Sequence, residues 1–355
     1  MLSFCHNLKN NAIINLSIAI NPETTPPDAI ISPDIEHRPC YRCYNDFWKD
    51  CHGKTQKSGV WFHSTSKGDE PKPIDVFVCG EILVIATARD KAGRSFGQVL
   101  RFKNKLGHWQ TWNMPVRLLA GRGDELLKEL FDMGLAFNYT KRGQIAAYIS
   151  SIHPTKTMWT ASQVGWFDSD NFVLPDTTIG KDSDGVLFQT ESNNHQEYST
   201  AGTLGEWRSS VAALCVGNPI MLFTVSTAFA GALLKHCNMD GIGFHIFGDS
   251  SRGKTTGLKL AASVWGNWEK YKRVWKSTSN GLEGAAALFN DGLLTLDEIG
   301  DSDPKELADS LYLLGNGTGK QRANVLGNAK AVKTWRTAIL SNGEKTIEAH
   351  KHRKA

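Results

Sequence analysis

The chain has 355 residues, of which 41% are apolar and 21% are charged. This composition is typical of a soluble globular protein and excludes an intrinsically disordered chain, and the length allows two domains. The net charge of +4 is unevenly distributed: residues 317–355 hold nine lysines and arginines against two glutamates, a net of +7, which favours contact with a polyanion, although a solvated basic tail would have the same composition.

Residues 1–36 are polar and show no sustained hydrophobic period, so they predict a flexible leader. Residues 37–195 contain short β-like runs interrupted by two amphipathic helices, near 124–133 and 140–152. This alternation predicts an N-terminal α+β domain. The seven cysteines are scattered and no signal peptide precedes them, so we expect reduced thiols and a cytoplasmic protein.

A β-hairpin is predicted within this domain, where strand-like runs at 98–102 and 109–112 flank turn residues 104–107. Aromatic residues in strands pack in the core more often than they stack on single-stranded bases, but both roles stay open here. The tryptophans concerned are Trp109, Trp112 and Trp166.

Residues 196–236 predict a helical linker. Thr203 and Glu206 form a capping box, and Asn218-Pro219 is an N-cap followed by proline at the first helical position. The longest apolar run, Ile220–Leu234, is too short to span a bilayer, so it predicts a buried helix and no membrane segment. Residues 237–355 then predict a separate α/β core.

A nucleotide-binding loop opens this core: residues 243–256 read GFHIFGDSSRGKTT, an apolar strand followed by G-x-x-x-x-G-K-[ST] and a predicted helix. The glycines let consecutive N–H groups face a phosphate chain, while the helix directs its positive end at the same anion. A glycine-rich turn with a chance lysine is the alternative. The predicted ATP-binding residues are Gly248, Asp249, Ser250, Ser251, Arg252, Gly253, Lys254, Thr255 and Thr256.

A second apolar strand, residues 292–296, ends in Asp297 and Glu298. An acid at this place holds Mg²⁺ in ATPases with such a loop, so Asp297 and the Thr255 hydroxyl predict the Mg²⁺ ligands, and Glu298 is placed to deprotonate the attacking water. A strand that ends in solvated acids is the alternative.

A third strand is predicted at Trp335–Leu340, followed by Ser341-Asn342-Gly343. Because the carboxyl ends of parallel strands meet at one sheet edge, Asn342 is expected near the γ-phosphate, where it would hold the attacking water. Glu298 and Asn342 are therefore the candidate catalytic residues.

These motifs together make the chain resemble the family known as domain of unknown function 927, over residues 38–348. The motifs that carry the resemblance are Arg38-Pro39-Cys40, residues 97–106, Val164-Gly165-Trp166, and residues 247–256, 280–288, 296–299 and 314–322. Family members resemble AAA+ ATPases of the hexameric replicative-helicase kind, similar to superfamily-three and minichromosome-maintenance helicases. The resemblance implies an AAA+-like, P-loop three-layer core in a DNA-dependent ATPase or helicase of mobile-element replication.

The same resemblance implies an ATP- and Mg²⁺-dependent hexameric ring on single-stranded DNA, with a primase or replication initiator as a partner. Such helicases insert a β-hairpin into the central channel between the second acid motif and the sensor. The corresponding residues here are 317–333, and a flexible surface loop is the alternative. The basic residues that would grip phosphates without reading sequence are Lys320, Arg322, Lys330 and Lys333.

The resemblance stops shortly after Asn342, and the last residues do not continue the family pattern. An arginine for the neighbour's γ-phosphate cannot be assigned, so we expect a C-terminally truncated core. Two alternatives to a helicase therefore stay open: an ATP-gated DNA-binding or loading factor without unwinding, and a non-catalytic relic.

A zinc site is the alternative use of the N-terminal cysteines. Cys40 and Cys43 precede the adjacent pair Cys51-His52, whose shared tetrahedral geometry would be strained. His245, inside the strand before the nucleotide loop, predicts a packed histidine.

Overall fold

The computed structural model describes residues 31–121, 123–189, 196–322 and 332–351, and shows a mixed α/β protein. These residues form two compact units, which we call the N-terminal unit (described residues 31–160) and the C-terminal unit (161–351). Most of the predicted flexible leader lies outside the described residues. Residues 161–189, assigned to the N-terminal domain on sequence, group with the C-terminal unit, because Val164 and Phe172 pack in its core.

The strands of the N-terminal unit are β1 (Cys40–Tyr44), β2 (Trp48–Lys49), β3 (Thr55–Gln56), β4 (Gly59–Thr65), β5 (Pro73–Cys79), β6 (Ile82–Arg89), β7 (Gly97–Lys103), β8 (Trp109–Pro115) and β9 (Thr157–Ala161). Strands β1, β4 and β5 form an antiparallel sheet in that order, and β2 pairs with β3. A second sheet joins β6, β7 and β8 antiparallel, with β9 parallel to β6. The predicted hairpin is thereby confirmed as β7–β8.

Two helices complete this unit, α1 (Asp124–Asp132) and α2 (Gly143–Ser151), close to their predicted bounds. Leu126 and Leu130 recur four residues apart on one face of α1, and they pack with Ile145 of α2 against the sheet residues Leu100 and Phe102. Burial of these apolar side chains is what holds the helices on the sheet.

The strands of the C-terminal unit are β10 (Gly165–Trp166), β11 (Asn171–Val173), β12 (Thr178–Gly180), β13 (Val186–Phe188), β14 (Ile242–Phe247), β15 (Arg273–Val274), β16 (Leu293–Asp297) and β17 (Ala338–Gly343). Its helices are α3 (Leu204–Ser210), α4 (Pro219–Leu233), α5 (Lys254–Ala262), α6 (Trp268–Tyr271), α7 (Ser279–Leu288), α8 (Pro304–Asn316) and α9 (Ile347–Lys351). The capping box at Thr203 and the N-cap at Asn218 are both confirmed.

A four-stranded parallel sheet organises the C-terminal unit, in the order β14-β17-β16-β15. The third predicted strand therefore lies between the other two. Its predicted bounds were wrong: β17 begins at Ala338, because Trp335 pairs instead with Gly317, and the strand continues through Asn342. This extension brings Asn342 into register with Ile246 of β14.

Helix α4 differs from the buried helix that its composition predicts. Thr224, Ala228 and Ala232 are buried, whereas large apolar side chains such as Ile220 and Phe223 are exposed. The small residues let α4 approach the sheet closely: a Cβ on Gly231 would clash with the backbone of Gly292, directly before β16. In the described part of the chain, no helix is long and apolar enough to cross a membrane.

A buried polar network ties together the N-terminal unit's antiparallel sheet. Arg38 donates to a carboxylate oxygen of Asp75 at 2.6 Å, and the same oxygen lies 2.8 Å from Nδ1 of His63. The ring's Nε2 lies 3.1 Å from the Tyr44 hydroxyl, so Nδ1–H donates to Asp75 while Nε2 accepts from the phenol. Both the Arg38 and His63 side chains are fully buried, so the Arg38 charge depends on its counter-charge, Asp75.

The pKa values of Asp75 and His63 are both lowered in this network. Burial alone would raise the pKa of Asp75, but hydrogen bonds from Arg38 and His63 outweigh it and hold the pKa below its usual value. Burial lowers the pKa of His63, against the opposing effect of Asp75. Both groups therefore bind fewer protons in the folded than in the unfolded chain.

We expect the stability of the N-terminal unit to fall as pH decreases. The His63 contribution is lost below the ordinary histidine pKa, near 6.5, and the Asp75 contribution below the ordinary aspartate pKa, near 4. At neutral pH, Asp75→Ala is expected to lower the free energy of unfolding by about 3–5 kcal/mol, because it leaves Arg38 buried without its counter-charge. Urea denaturation at several pH values measures both effects. Asp69→Ala, at an exposed acid, is the control, and equal losses for the two variants would contradict the expectation.

Candidate nucleotide site

Residues 248–253 form the loop between β14 and α5. Gly248 and Gly253 have φ values of +150° and +82°, which L-amino acids with side chains rarely adopt. Gly253 is the N-cap of α5, so the loop leads directly onto the first, unpaired N–H groups of the helix. Residues 249–253 are exposed, which leaves the loop open to an anionic ligand.

Lys254, the first residue of α5, turns its side chain back onto this loop. Its ammonium group donates to the carbonyl oxygens of Gly248 at 2.8 Å and Asp249 at 2.7 Å. The positive charge is thus held beside the loop rather than extended into solvent. Thr256, next but one along the helix, is exposed.

Thr255 in the first turn of α5 meets Asp297 at the end of β16 and Asn342 near the end of β17. The Thr255 hydroxyl donates to a carboxylate oxygen of Asp297 at 3.3 Å. The Asn342 amide nitrogen lies 2.7 Å from the same oxygen and 3.2 Å from the Thr255 hydroxyl. This triangle places a hydroxyl and a carboxylate, both hard oxygen donors of the type that Mg²⁺ prefers, beside the 248–253 loop.

Asn342 also fixes the residue that follows Asp297. Its carbonyl oxygen accepts the backbone N–H of Glu298 at 2.7 Å, and its side chain is almost completely buried. Glu298 adopts a left-handed backbone conformation, with φ at +55°. The amide of Asn342 is therefore engaged with Thr255, Asp297 and Glu298, and its predicted role in holding a water molecule stays a prediction.

A second polar network, which the sequence analysis missed, supports the same strand end. The Ser341 hydroxyl accepts from the Trp275 indole N–H at 2.7 Å and lies 3.0 Å from Nδ1 of His245. Nε2 of His245 donates to the carbonyl of Lys345 at 2.9 Å, so the Ser341 hydroxyl donates to Nδ1. Burial lowers the pKa of His245, which is a packed histidine, as predicted. In the sequence, the one sign of this network was Ser341, the polar residue directly before Asn342.

The first and last residues of the basic interval 317–333 pair with each other as antiparallel segments. The Gly319 N–H donates to the carbonyl of Lys333 at 2.8 Å, and the Trp335 N–H donates to Gly317 at the same distance. Lys330 lies outside the described residues. Lys320 and Lys333 are both exposed at this base.

Arg322 is already engaged by protein groups. Its guanidinium binds both carboxylate oxygens of Glu283, at 2.6 and 2.7 Å, and the side-chain oxygen of Asn280 at 2.7 Å. The hydrogen bonds from Arg322 lower the pKa of Glu283, an almost fully buried residue of α7. The bidentate pair anchors the basic interval to α7.

The candidate zinc ligands do not converge. Cys40 and Cys43 are three residues apart in β1, so their side chains point to opposite faces. Burial raises the pKa of the Cys43 thiol to about 12, which opposes the thiolate that zinc requires. Within the residues described, no group of three or more His, Cys, Asp or Glu side chains could hold a metal ion.

The family model for a domain of unknown function, DUF927, matches residues 53–334. The chain belongs to the DUF927 family. A search of curated proteins found no match to this chain.

Among solved structures, the DUF927 chain is similar to one described as an active helicase, Cch of SCCmec type IV. The two share 20% identity over 81% of this chain and 54% of that one, with a TM-score of 0.58. This similarity concerns the fold. The DUF927 chain spans about half the length of that protein.

Two other solved structures are far less similar. NtrX from Brucella abortus in complex with ATP shares 15% identity over 41% of this chain and 36% of its own, with a TM-score of 0.22. The NrS-1 C-terminal region in its apo form shares 8% identity over 74% and 54%, with a TM-score of 0.29. At such scores, neither bears on the fold or function of the DUF927 chain.

The strained backbone at Glu298 gives a test of the site's geometry. A left-handed conformation costs a residue with a side chain about 1 kcal/mol or more, but costs glycine little. We expect Glu298→Gly to be more stable than Glu298→Ala by about 1 kcal/mol, since both remove the carboxylate and only glycine relieves φ. Thermal and urea denaturation of the two variants measure the difference. A more stable alanine variant would show that Glu298 does not hold this conformation.

Proposed function

We propose that the DUF927 chain binds ATP with Mg²⁺ at the 248–256 loop and couples its hydrolysis to action on single-stranded DNA. The observation that carries this proposal is the meeting of Thr255, Asp297 and Asn342 at one sheet edge, directly beside the loop that Lys254 contacts. A chance glycine turn would have no reason to lie next to a hydroxyl–carboxylate–amide triangle in which Thr255 and Asp297 are half-buried and Asn342 is buried.

In this proposal, the triphosphate binds to the loop N–H groups and to the N-terminus of α5. Lys254 would exchange its bonds to the Gly248 and Asp249 carbonyls for bonds to phosphate oxygens, an exchange that strengthens them because both partners are then charged. Thr255 and Asp297 would hold Mg²⁺, which supplies charge neutralisation on the phosphates when bound.

Glu298 is the proposed general base. Its backbone N–H is held by Asn342, and its left-handed conformation fixes where its side chain leaves the strand. Asn342 therefore orients both acids: it donates to Asp297 and accepts from Glu298. A base acts only within hydrogen-bond reach of the water that it deprotonates, so this positioning is expected to matter for the rate of hydrolysis.

DNA is proposed as the partner on the strength of the basic interval and of the helicase-like fold. Lys320 and Lys333 lie on the two segments that pair antiparallel at the base of the basic interval, which suits a loop that grips phosphates without reading sequence. By analogy with replicative helicases, we further propose a hexameric ring that serves mobile-element replication beside a primase or replication initiator.

Lys254→Ala is expected to weaken ATP binding and to lower DNA-stimulated ATP hydrolysis by about 10²–10³-fold, because the variant loses the cation that faces the developing phosphate charge. Phosphate release with and without single-stranded DNA measures the effect. Lys259→Ala, at an exposed lysine on the same helix, is the control. Equal rates for both variants would overturn the ATP site. Hydrolysis without strand displacement would favour a loading factor over a helicase.

Lys320→Ala is expected to weaken the binding of single-stranded DNA while leaving ATP affinity unchanged. The slope of log K for DNA binding against log salt concentration should become shallower by about one. Arg322→Ala is expected also to lower the free energy of unfolding by about 2 kcal/mol, because buried Glu283 loses its bidentate partner. Salt titrations of binding to a fluorescent oligonucleotide, with Lys259→Ala as the control, distinguish the two. Unchanged binding by Lys320→Ala at low and high salt would remove the hairpin hypothesis.

A further inference from the structure

The β7–β8 hairpin of the N-terminal unit carries only positive charge. Residues 97–115 include three lysines and arginines and no aspartate or glutamate. The hairpin lies outside the unit that holds the candidate nucleotide site. The proposed ATP site does not involve the hairpin, so its positive charge has no role in the chemistry proposed above.

The two faces of this hairpin differ sharply. Leu100, Phe102 and Trp112 point into the core of the unit and are buried. Lys103 and Trp109 are cross-strand partners on the opposite face, and Arg101 lies two residues before Lys103 on the same face. Trp109 therefore lies on the face of the hairpin away from the core that Leu100, Phe102 and Trp112 join.

Trp109 lies between two cations. Its ring centroid is 4.6 Å from the Arg101 guanidinium carbon and 4.8 Å from the Lys103 ammonium nitrogen. The side chain is nevertheless 39% exposed. Glu81, almost buried, lies 3.8 Å from Lys103 and offsets part of the charge. The cations hold the indole in place while a substantial part of its surface stays in contact with water.

The adjoining turn is closed by hydrogen bonds and continues the basic surface. The Asn104 side chain accepts the backbone N–H groups of Leu106 at 3.0 Å and His108 at 2.9 Å, and Gly107 adopts φ of +82°. Lys105 and His108 are exposed on this turn. A rigid support lowers the entropy that a ligand must overcome when it binds.

We propose that this surface, the Trp109 face (Arg101, Lys103, Lys105, His108 and Trp109), binds single-stranded nucleic acid. An unstacked base would stack on the exposed part of the indole, and the flanking cations would contact the phosphates on either side. Stacking tolerates any base and the cations attract any phosphate, so the contact would be independent of sequence. This proposal for the Trp109 face does not depend on the proposed ATP site.

The direct test is photo-crosslinking of the full chain to DNA and RNA oligonucleotides that carry 5-iodouracil. Mass spectrometry would locate the crosslinked peptide. We expect the peptide that contains Trp109 to be crosslinked, and Trp109→Leu to abolish that crosslink and weaken binding by about tenfold. The two oligonucleotides show whether DNA or RNA is the better ligand.

Trp159→Leu is the matched control. Trp159 is 37% exposed and lies 4.8 Å from the Arg89 guanidinium, but its strand is β9 rather than the basic hairpin. This variant is expected to retain the crosslink. Lys105→Ala, at an exposed turn position that does not threaten folding, is expected to reduce the salt slope by about one.

An absent crosslink at Trp109 while the oligonucleotide is bound would overturn the proposal, as would an unchanged crosslink pattern in Trp109→Leu. Binding of an acidic peptide but of no oligonucleotide would also overturn it. Lys254→Ala is expected to leave the crosslink intact, so failure of the ATP site and failure of the Trp109 face are distinguishable.

Discussion

The amide of Asn342 is the interaction on which the candidate site depends. It makes hydrogen bonds to a hydroxyl from α5, to a carboxylate from β16 and to the backbone N–H of Glu298. An amide can donate and accept at once, so one buried side chain satisfies groups from two other elements. A carboxylate or an aliphatic residue at this position would leave at least one of those groups without a partner inside the protein.

The order of the sheet explains why Asn342 can do this. Strand β17 lies between β14 and β16, so its end is the only one of the three that adjoins both others. Behind it, Trp275, Ser341 and His245 form a second chain of hydrogen bonds that fixes the same strand end. The site thus rests on buried strand ends, while its loop supplies the glycines and leads onto Lys254, the first residue of α5.

The N-terminal unit uses polar groups in two different ways. The Arg38, Asp75 and His63 side chains are buried and mutually satisfied, so they hold one sheet together. Arg101, Lys103 and Trp109 lie on the outer side of another sheet and remain accessible to a ligand. The difference between a structural network and an interaction surface is a difference in burial, and residue type alone does not reveal it.

Local patterns determined much of this protein: hydrophobic periodicity predicted most strands and helices, capping residues located two helix starts, and the spacing of glycines and Lys254 located the loop. Tertiary structure decided what depends on distant partners. Residues 161–189 group with the C-terminal unit, large apolar residues of α4 are exposed, and Arg322 pairs with Glu283. Short-range periodicity fixes local conformation, whereas the exposure and partners of a side chain depend on segments far away in sequence.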